Sequence, residues 1–185
     1  MAVLEVQKYP SRILSQKSQE VRQINARTAK MLNDMVDTMY VNNGIGLAAP
    51  QIGMLQRAIV IDTDSDNRGK KLLKILNPVI AASSGSVSWE EGCLSVVNYT
   101  AEVRRARHIL VKGWTVDHKE IEIEASDLEA VCLQHEIDHL DGTLFIDHIS
   151  RLKRELYRKR ARRMAPPPIE EDEQLMAAAA NAFRR

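Results

Sequence analysis

The chain has 185 residues, of which 44% are hydrophobic, and its formal net charge is +1. A chain of this length can bury one sizeable core, so one globular domain is expected. No DNA partner is expected. The N-terminal residues lack the apolar stretch of an export signal, and no segment approaches the roughly 20 apolar residues that span a bilayer, so we expect a cytoplasmic protein with no membrane partner.

The predicted elements begin with a helix and continue with strands. Apolar residues between Leu32 and Tyr40 recur at helical spacing and predict a helix over residues 25–41. Alternating and β-branched apolar residues then predict four strands, at 57–62, 71–80, 107–113 and 119–125. The last two are expected to form a hairpin.

A second helix is predicted directly after the fourth strand. Ser126 and Glu129 have the spacing of a capping box, and Gly142 is a typical helix stop. This helix carries the sequence His-Glu-Ile-Asp-His. Histidines four residues apart lie on one helix face, so His135 and His139 can bind one cation while Glu136 reaches a water molecule.

A basic helix is predicted over about residues 149–164. Between Arg151 and Arg163 there are eight basic residues and a single acid. Its expected core-facing residues are Ile149, Leu152 and Leu156. The charged remainder is either a solvated surface or a binding surface for a partner.

The last 21 residues, 165–185, contain prolines, then an acidic run and then alanines. We expect this tail to be only partly ordered, since prolines stop a helix. The domain is therefore predicted to span residues 1–164. The acidic run is also able to fold back on the basic helix.

Two histidines leave a third metal ligand to be found. Phe145 stands where one metalloprotease group has a further histidine, and it cannot bind a metal. His148 is one candidate. Cys93 is favoured, because its thiolate would complete a set that leaves one position open for water, although a lone cysteine is commonly a small buried hydrophobe.

Three segments together carry a resemblance to a known family. GIGLAAPQ at 44–51, EGCLS at 91–95 and QHEIDHLDG at 134–142 resemble, in order and separation, the three motifs of peptide deformylases. The resemblance covers most of residues 1–160. It implies an α+β fold, with a central HExxH-bearing helix surrounded by antiparallel β-sheets and with N-terminal and C-terminal helices.

The resemblance also implies a reaction and its metal. The reaction is removal of the N-formyl group from the N-terminal formyl-methionine of new polypeptides, with release of formate. The implied ligands are Cys93, His135 and His139, which hold one divalent ion. Ferrous iron is expected in the cell, and zinc, nickel and cobalt suit the same donors.

Three further groups are implied in catalysis. Glu136 takes and returns the proton, while the Gln51 side-chain amide and the Leu94 backbone N–H stabilise the oxyanion. The substrate is expected to lie as an added strand along Gly46 and Glu90. The predicted substrate-binding residues are Ile45, Gly46, Trp89, Glu90, Leu128, Val131 and Cys132, the last three forming an apolar wall on the helix.

The resemblance further implies that the protein works in the cytoplasm, as a bacterial-type enzyme, and that it contacts the ribosome through the basic stretch 151–163. Val97 stands where proline is common in the family, so the chain departs from the family pattern at this position. Two other classes stay open: a zincin protease, whose metal would not need Cys93, and a ribosome-binding module with a closed structural metal site.

Overall fold

A computed structural model describes residues 2–164, so the predicted tail at 165–185 lies outside the described residues. The α-helices are Ala26–Val41 (α1), Asp127–Leu140 (α2) and Arg151–Met164 (α3). The strands are Gly46–Ala48 (β1), Ala58–Ile61 (β2), Leu73–Ser84 (β3), Val87–Cys93 (β4), Val96–Arg105 (β5), His108–Trp114 (β6) and Glu120–Ser126 (β7). The predicted α+β class is confirmed. No helix in residues 2–164 is long and apolar enough to cross a membrane.

The strands form two antiparallel sheets. Five strands are ordered β1-β2-β3-β6-β7, and β4 pairs with β5 in a separate two-stranded sheet. The predicted strands correspond to β2, β3, β6 and β7, and the predicted hairpin is confirmed by pairing of Trp114 with Glu120. Strands β1, β4 and β5 were not predicted.

The charged residues of β4 and β5 explain why these strands were missed. Buried positions alternate along β5 at Ala101, Val103 and Arg105, and Glu91 is the buried residue of β4. Two of these four inward positions are charged. The apolar alternation that predicts a half-buried strand is therefore broken on the face that is buried.

Strand β2 separates two apolar clusters. Ala58 and Val60 pack in the cluster that contains residues of α1, whereas Ile59 and Ile61 pack in the cluster that contains residues of α2. Alternate side chains of a strand point to opposite faces, so β2 is buried on both. The five-stranded sheet thus holds α1 and α2 in place on either side.

The start of α2 differs from the prediction in one detail. The helix begins after Ser126, as predicted, but the Ser126 side chain makes no capping hydrogen bond. Instead the Asp127 N–H donates to the Arg107 carbonyl at 3.0 Å. This bond ties the first residue of the helix to the β5–β6 connection, so the predicted capping box is wrong.

The buried face of α3 also differs from the prediction. Leu152 and Leu156 are 72% and 62% exposed, while Tyr157 and Ala161 are buried in a cluster with Phe145. Of the three expected core-facing residues, Leu152 and Leu156 are therefore wrong, whereas Ile149 is partly buried against this cluster. Tyr157 packs beside the ring of Tyr99, at 4.8 Å between ring centroids, and an aromatic ring buries more apolar area than a leucine in this position.

Gly142 follows α2 with a φ of +73°, and a Cβ there would lie 2.7 Å from the Ser15 carbonyl oxygen. We predict that Gly142→Ala lowers the free energy of unfolding by about 2 kcal/mol or more, measured by urea titration, because left-handed backbone strain and a steric overlap add together. Gly69→Ala is the matched control, since Gly69 has a φ of +93° and a Cβ there would have no neighbouring atom within 4 Å. Equal losses in the two variants would show that the overlap contributes nothing.

Candidate active site

The two histidines of α2 lie on one buried face. Their ring centroids are 5.0 Å apart, and both side chains are buried. The Nδ1 atom of His135 lies 2.8 Å from a Glu91 carboxylate oxygen, which leaves its Nε2 atom for a metal ion. A carboxylate that fixes one ring nitrogen orients the other one as a ligand.

Cys93 completes the cluster from the end of β4. Its Sγ lies 3.2 Å from His139 Nε2, and the donor atoms of Cys93, His135 and His139 all lie within 4.8 Å of one another. Three such donors fit one divalent ion with a fourth position open. His148, the other candidate, instead contacts Asp138 at 2.7 Å.

The two cysteines have opposite electrostatic environments. Burial disfavours the Cys93 thiolate, but His139 and His135 outweigh burial and hold the pKa of Cys93 well below its usual range. Burial, reinforced by Glu136, raises the pKa of Cys132 well above its usual range. A thiolate is the metal-binding form of cysteine, so the local charges suit Cys93 to be a ligand and keep Cys132 a thiol.

Glu136 lies between the two histidines in sequence and is buried. Burial raises the pKa of Glu136 to about 7, although the neighbouring histidines lower it. Its Oε2 atom has no hydrogen-bond partner within residues 2–164. A buried carboxylate with a free oxygen and a pKa near neutrality is suited to accept and return a proton.

Gly46 allows β1 to approach α2 closely. A Cβ on Gly46 would overlap the Glu136 carboxylate and would lie 2.9 Å from Cys132 Sγ. The Cys132 thiol in turn lies 3.5 Å from the Ile45 carbonyl oxygen. The backbone of β1 therefore runs directly past the carboxylate, with no side chain between them.

Gln51 is held in one orientation beside the cluster. Its Oε1 accepts a hydrogen bond from the Ala48 N–H at 2.8 Å, so its Nε2 is directed the other way. That nitrogen lies 3.2 Å from Ser95 Oγ and 3.5 Å from Cys93 Sγ. Leu94 lies between these two residues in the β4–β5 turn, so its peptide and the Gln51 amide are neighbours.

A buried ionic network supports the cluster. Arg105 donates two hydrogen bonds to the Glu91 carboxylate, at 2.7 and 3.0 Å, and a third to Asp138 at 2.5 Å. Burial raises the pKa of Glu91, but His135 and Arg105 outweigh burial and leave that pKa below the usual range. Glu91 therefore stays ionised and can hold the His135 ring.

The remaining predicted substrate residues are spread over α2 and β4. Val131 is buried and Leu128, in the first turn of α2, is half-buried. Trp89 and Glu90 lie on β4, where both are exposed, and Glu90 accepts a hydrogen bond from Thr100. Of the predicted substrate residues, Ile45, Gly46 and Cys132 are in mutual contact beside Glu136.

Sequence reasoning missed the supporting roles of Glu91 and Asp138. Glu91 is the first residue of the EGCLS segment, and Asp138 lies within the HExxH segment. Strand alternation could have placed Glu91 on the same face as Cys93, two residues later. The pairing with Arg105 depends on the β4–β5 register and on α2 together.

A cysteine and two histidines that could hold one metal ion, with an unpaired buried carboxylate beside them, are the arrangement expected of a mononuclear metal-dependent hydrolase. Comparison with known proteins also indicates a metal-dependent hydrolase. A sequence model of the polypeptide deformylase family matches residues 3–155. The peptide deformylase of Thermodesulfovibrio yellowstonii is 50% identical over 160 residues, which is 86% of this chain and 97% of that protein.

Solved structures give the same result. The peptide deformylase from Legionella pneumophila has 41% identity and a TM-score of 0.82, covering 90% of this chain and 100% of that one. The enzyme from Ehrlichia chaffeensis in complex with actinonin has 35% identity and a TM-score of 0.83, with the same coverage. The chain belongs to the polypeptide deformylase family, whose members are metal-dependent enzymes that remove the N-formyl group from nascent peptides.

We predict that Arg105→Met lowers the free energy of unfolding by about 3–5 kcal/mol, because Glu91 is left buried without its cation. Metal affinity should fall about 10- to 100-fold, because the His135 ring loses its fixed support. The folded-state pKa of Glu91 is lowered, so the Glu91–Arg105 pair stabilises the protein above the unfolded-state pKa of glutamate. The difference in unfolding free energy between wild type and variant should therefore shrink as pH falls through the folded-state pKa of Glu91.

The measurements are urea titrations at several pH values and competition of the protein with a zinc chelator. Arg104→Met is the matched control, because Arg104 is the neighbouring arginine on the exposed face of β5. Its loss should stay within about 0.5 kcal/mol. Similar effects of the two substitutions would show that the buried network supports neither the fold nor the ligand.

Proposed function

We propose that Cys93, His135 and His139 hold the divalent ion on which the family's reaction depends, and that α2 is the central element of this site. The observation that carries the proposal is the approach of their three donor atoms to within 4.8 Å of one another. The lowered pKa of Cys93 supports it, since the thiolate is the binding form. When bound, the ion would act as a Lewis acid that lowers the pKa of a water molecule and polarises the formyl carbonyl.

The identity of the ion is a separate proposal. One thiolate and two imidazoles suit ferrous iron, zinc, nickel and cobalt, so the donor set alone does not select among them. We propose ferrous iron in the cell, as the family resemblance implies. Oxygen sensitivity is then expected, because both ferrous iron and a thiolate are readily oxidised.

Glu136 is proposed to move the proton. As a carboxylate it accepts a proton from the attacking water, and as the acid it returns that proton to the amine that leaves when the formyl C–N bond breaks. Its burial and unpaired oxygen support this role. A pKa raised to about 7 suits both halves of the cycle, since the group must exchange a proton in each direction near neutral pH.

Gln51 and Leu94 are proposed to stabilise the oxyanion of the tetrahedral intermediate. The fixed Oε1 of Gln51 keeps its Nε2 donor turned toward Cys93, so the donor need not reorient during the reaction. The Leu94 N–H follows directly after the proposed ligand. Donors that are already in place act where the charge develops.

The substrate is proposed to bind between the free edges of two strands. Among the strands of residues 2–164, β1 has β2 as its one neighbour and β4 has β5, so each offers an edge to an extended peptide. Ile45, Gly46, Trp89 and Glu90 lie along these strands or beside them. The methionine side chain is proposed to contact an apolar wall made of Leu128, Val131 and Cys132 on α2.

The catalytic domain is proposed to span residues 1–164. The family match ends at residue 155, within α3. Tyr157 and Ala161 still pack in the core beyond that point, which supports a boundary after α3.

Formate release tests the catalytic proposal. Protein purified without oxygen and loaded with ferrous iron should release formate from a short N-formyl-methionyl peptide, and Glu136→Gln should slow release by about 10²- to 10⁴-fold, because the proton carrier is lost. Metal content should be unchanged in this variant. Cys93→Ala should lose the metal, which separates ligand from proton carrier.

The rival classes give different results in the same assay. A zincin-type protease would cleave internal peptide bonds and keep its metal in Cys93→Ala. A structural metal site would bind the ion without releasing formate in any variant. Either result would contradict the proposed function.

We also propose that the chain works in the bacterial cytoplasm and contacts the ribosome through α3. Arg154 and Arg158 pair with Asp147, at 3.4 and 3.6 Å, and are therefore partly neutralised. The other described cations of α3 are exposed and form no ion pair within residues 2–164: Arg151, Lys153, Lys159, Arg160 and Arg163. A row of exposed cations is suited to phosphate contacts.

Replacing Lys153, Lys159 and Arg160 together by glutamine should weaken co-sedimentation with ribosomes and flatten its dependence on salt, since each lost phosphate contact reduces the slope by about one. Formate release from a free peptide should stay unchanged. The charge-matched control replaces three exposed lysines elsewhere, Lys17, Lys70 and Lys71. Equal weakening by both sets would indicate nonspecific attraction rather than a surface on α3.

A further inference from the structure

The N-terminal segment makes three successive contacts with the loops beside the metal cluster. We call residues 7–9 the N-terminal strap. The Gln7 N–H donates to the Gln51 carbonyl at 2.7 Å, and the Tyr9 N–H donates to the Ser95 carbonyl at 2.8 Å. Between them, the Lys8 ammonium donates to the Leu94 carbonyl at 2.6 Å.

These contacts join loops that belong to different sheets. Gln51 lies in the 3-10 turn Ala49–Ile52, which follows β1 of the five-stranded sheet. Leu94 and Ser95 form the turn between β4 and β5 of the two-stranded sheet. The side-chain contact of Gln51 with Ser95 Oγ, at 3.2 Å, also crosses this gap. The strap therefore adds backbone bonds to the side-chain contact across the gap.

Gln7 and Tyr9 make their contacts through backbone N–H groups, whereas Lys8 makes its contact through its side chain. The side chain is exposed and pairs with no carboxylate within residues 2–164, so its charged donor is directed to a peptide carbonyl. The N–H and C=O of Leu94 belong to successive peptide units that meet at the Leu94 Cα. Holding the carbonyl therefore limits rotation of the turn that presents the N–H.

We infer that Lys8 is a positioning residue that fixes the Leu94 N–H relative to the Gln51 amide, and so aligns the two oxyanion donors. This inference rests on the proposed function, which gives these two groups that role. Misplacement of a donor by about 1 Å can slow an enzyme about 100-fold. Because Lys8 is exposed, its loss should allow a smaller displacement, and a decrease of about 3- to 10-fold in kcat is expected.

The test compares Lys8→Met, which removes the charged donor at similar length, with Lys8→Arg, which keeps a charged donor. Lys17→Met is the matched control, since Lys17 is another exposed lysine of the N-terminal segment. For each iron-loaded variant, kcat and KM for an N-formyl-methionyl peptide, metal content and the urea midpoint are measured. The carbonyl ¹³C resonance of Leu94 reports the hydrogen bond independently of activity.

Lys8→Met is expected to have a lower kcat and a shifted Leu94 carbonyl resonance, with KM, metal content and urea midpoint unchanged. Lys8→Arg is expected to recover kcat. Wild-type kcat in Lys8→Met, or an equal loss in Lys17→Met, would overturn the inference. The two failures can be told apart, because an error in the proposed function abolishes formate release in the unchanged chain itself.

Discussion

One guanidinium group links the parts of this molecule that must stay together. Arg105 lies on β5, and it binds Glu91 on β4 and Asp138 on α2. A two-stranded sheet is marginally stable alone, so β4 and β5 depend on docking against the rest of the protein. The contact of Arg105 with Asp138 docks the two-stranded sheet on α2, and its bonds to Glu91 fix the carboxylate that contacts His135. Loss of Arg105 would therefore disturb the fold and the orientation of His135 together.

The cluster is assembled from units that do not otherwise share a sheet. The five-stranded sheet contributes Gly46 and the turn with Gln51, the two-stranded sheet contributes Cys93, and α2 contributes the histidines. The alignment of the cluster therefore depends on how these units dock against one another. The strap and the Arg105–Asp138 contact lie at the junctions between them.

Apolar patterns in the sequence, either periodic or continuous, predicted the elements in which that pattern is regular. The helix at 25–41 and the strands matching β2, β6 and β7 are of this kind, and their observed bounds differ from the predicted ones by at most one residue at either end. The helical spacing of His135 and His139 also predicted that both rings share a face. These properties depend only on residues that lie close together in the sequence.

The remaining features depend on contacts that are distant in sequence. Strands β4 and β5 were missed because Glu91 and Arg105 are charged yet face inward, where each neutralises the other. The prediction that Leu152 and Leu156 of α3 face the core was wrong because Tyr157 packs against Tyr99, which lies on another element. Residue types favoured Cys93 over His148, but the approach of Cys93 to His139 requires the docking of β4 on α2. Family resemblance, and not spacing, supplied the roles of Gln51 and Leu94.

The position of Cys93 at a strand end and of the histidines on a helix has a consequence for folding. An ion held by these three proposed ligands would close a loop of chain from residue 93 to residue 135 and would join the β4–β5 hairpin to α2. Because the three donors meet only in the folded chain, binding of the ion would stabilise the folded state and would not persist as a crosslink in the unfolded one. Acquisition of the ion would thus be a late step in maturation, and loss of the ion would loosen the hairpin that carries the proposed oxyanion donor, Leu94.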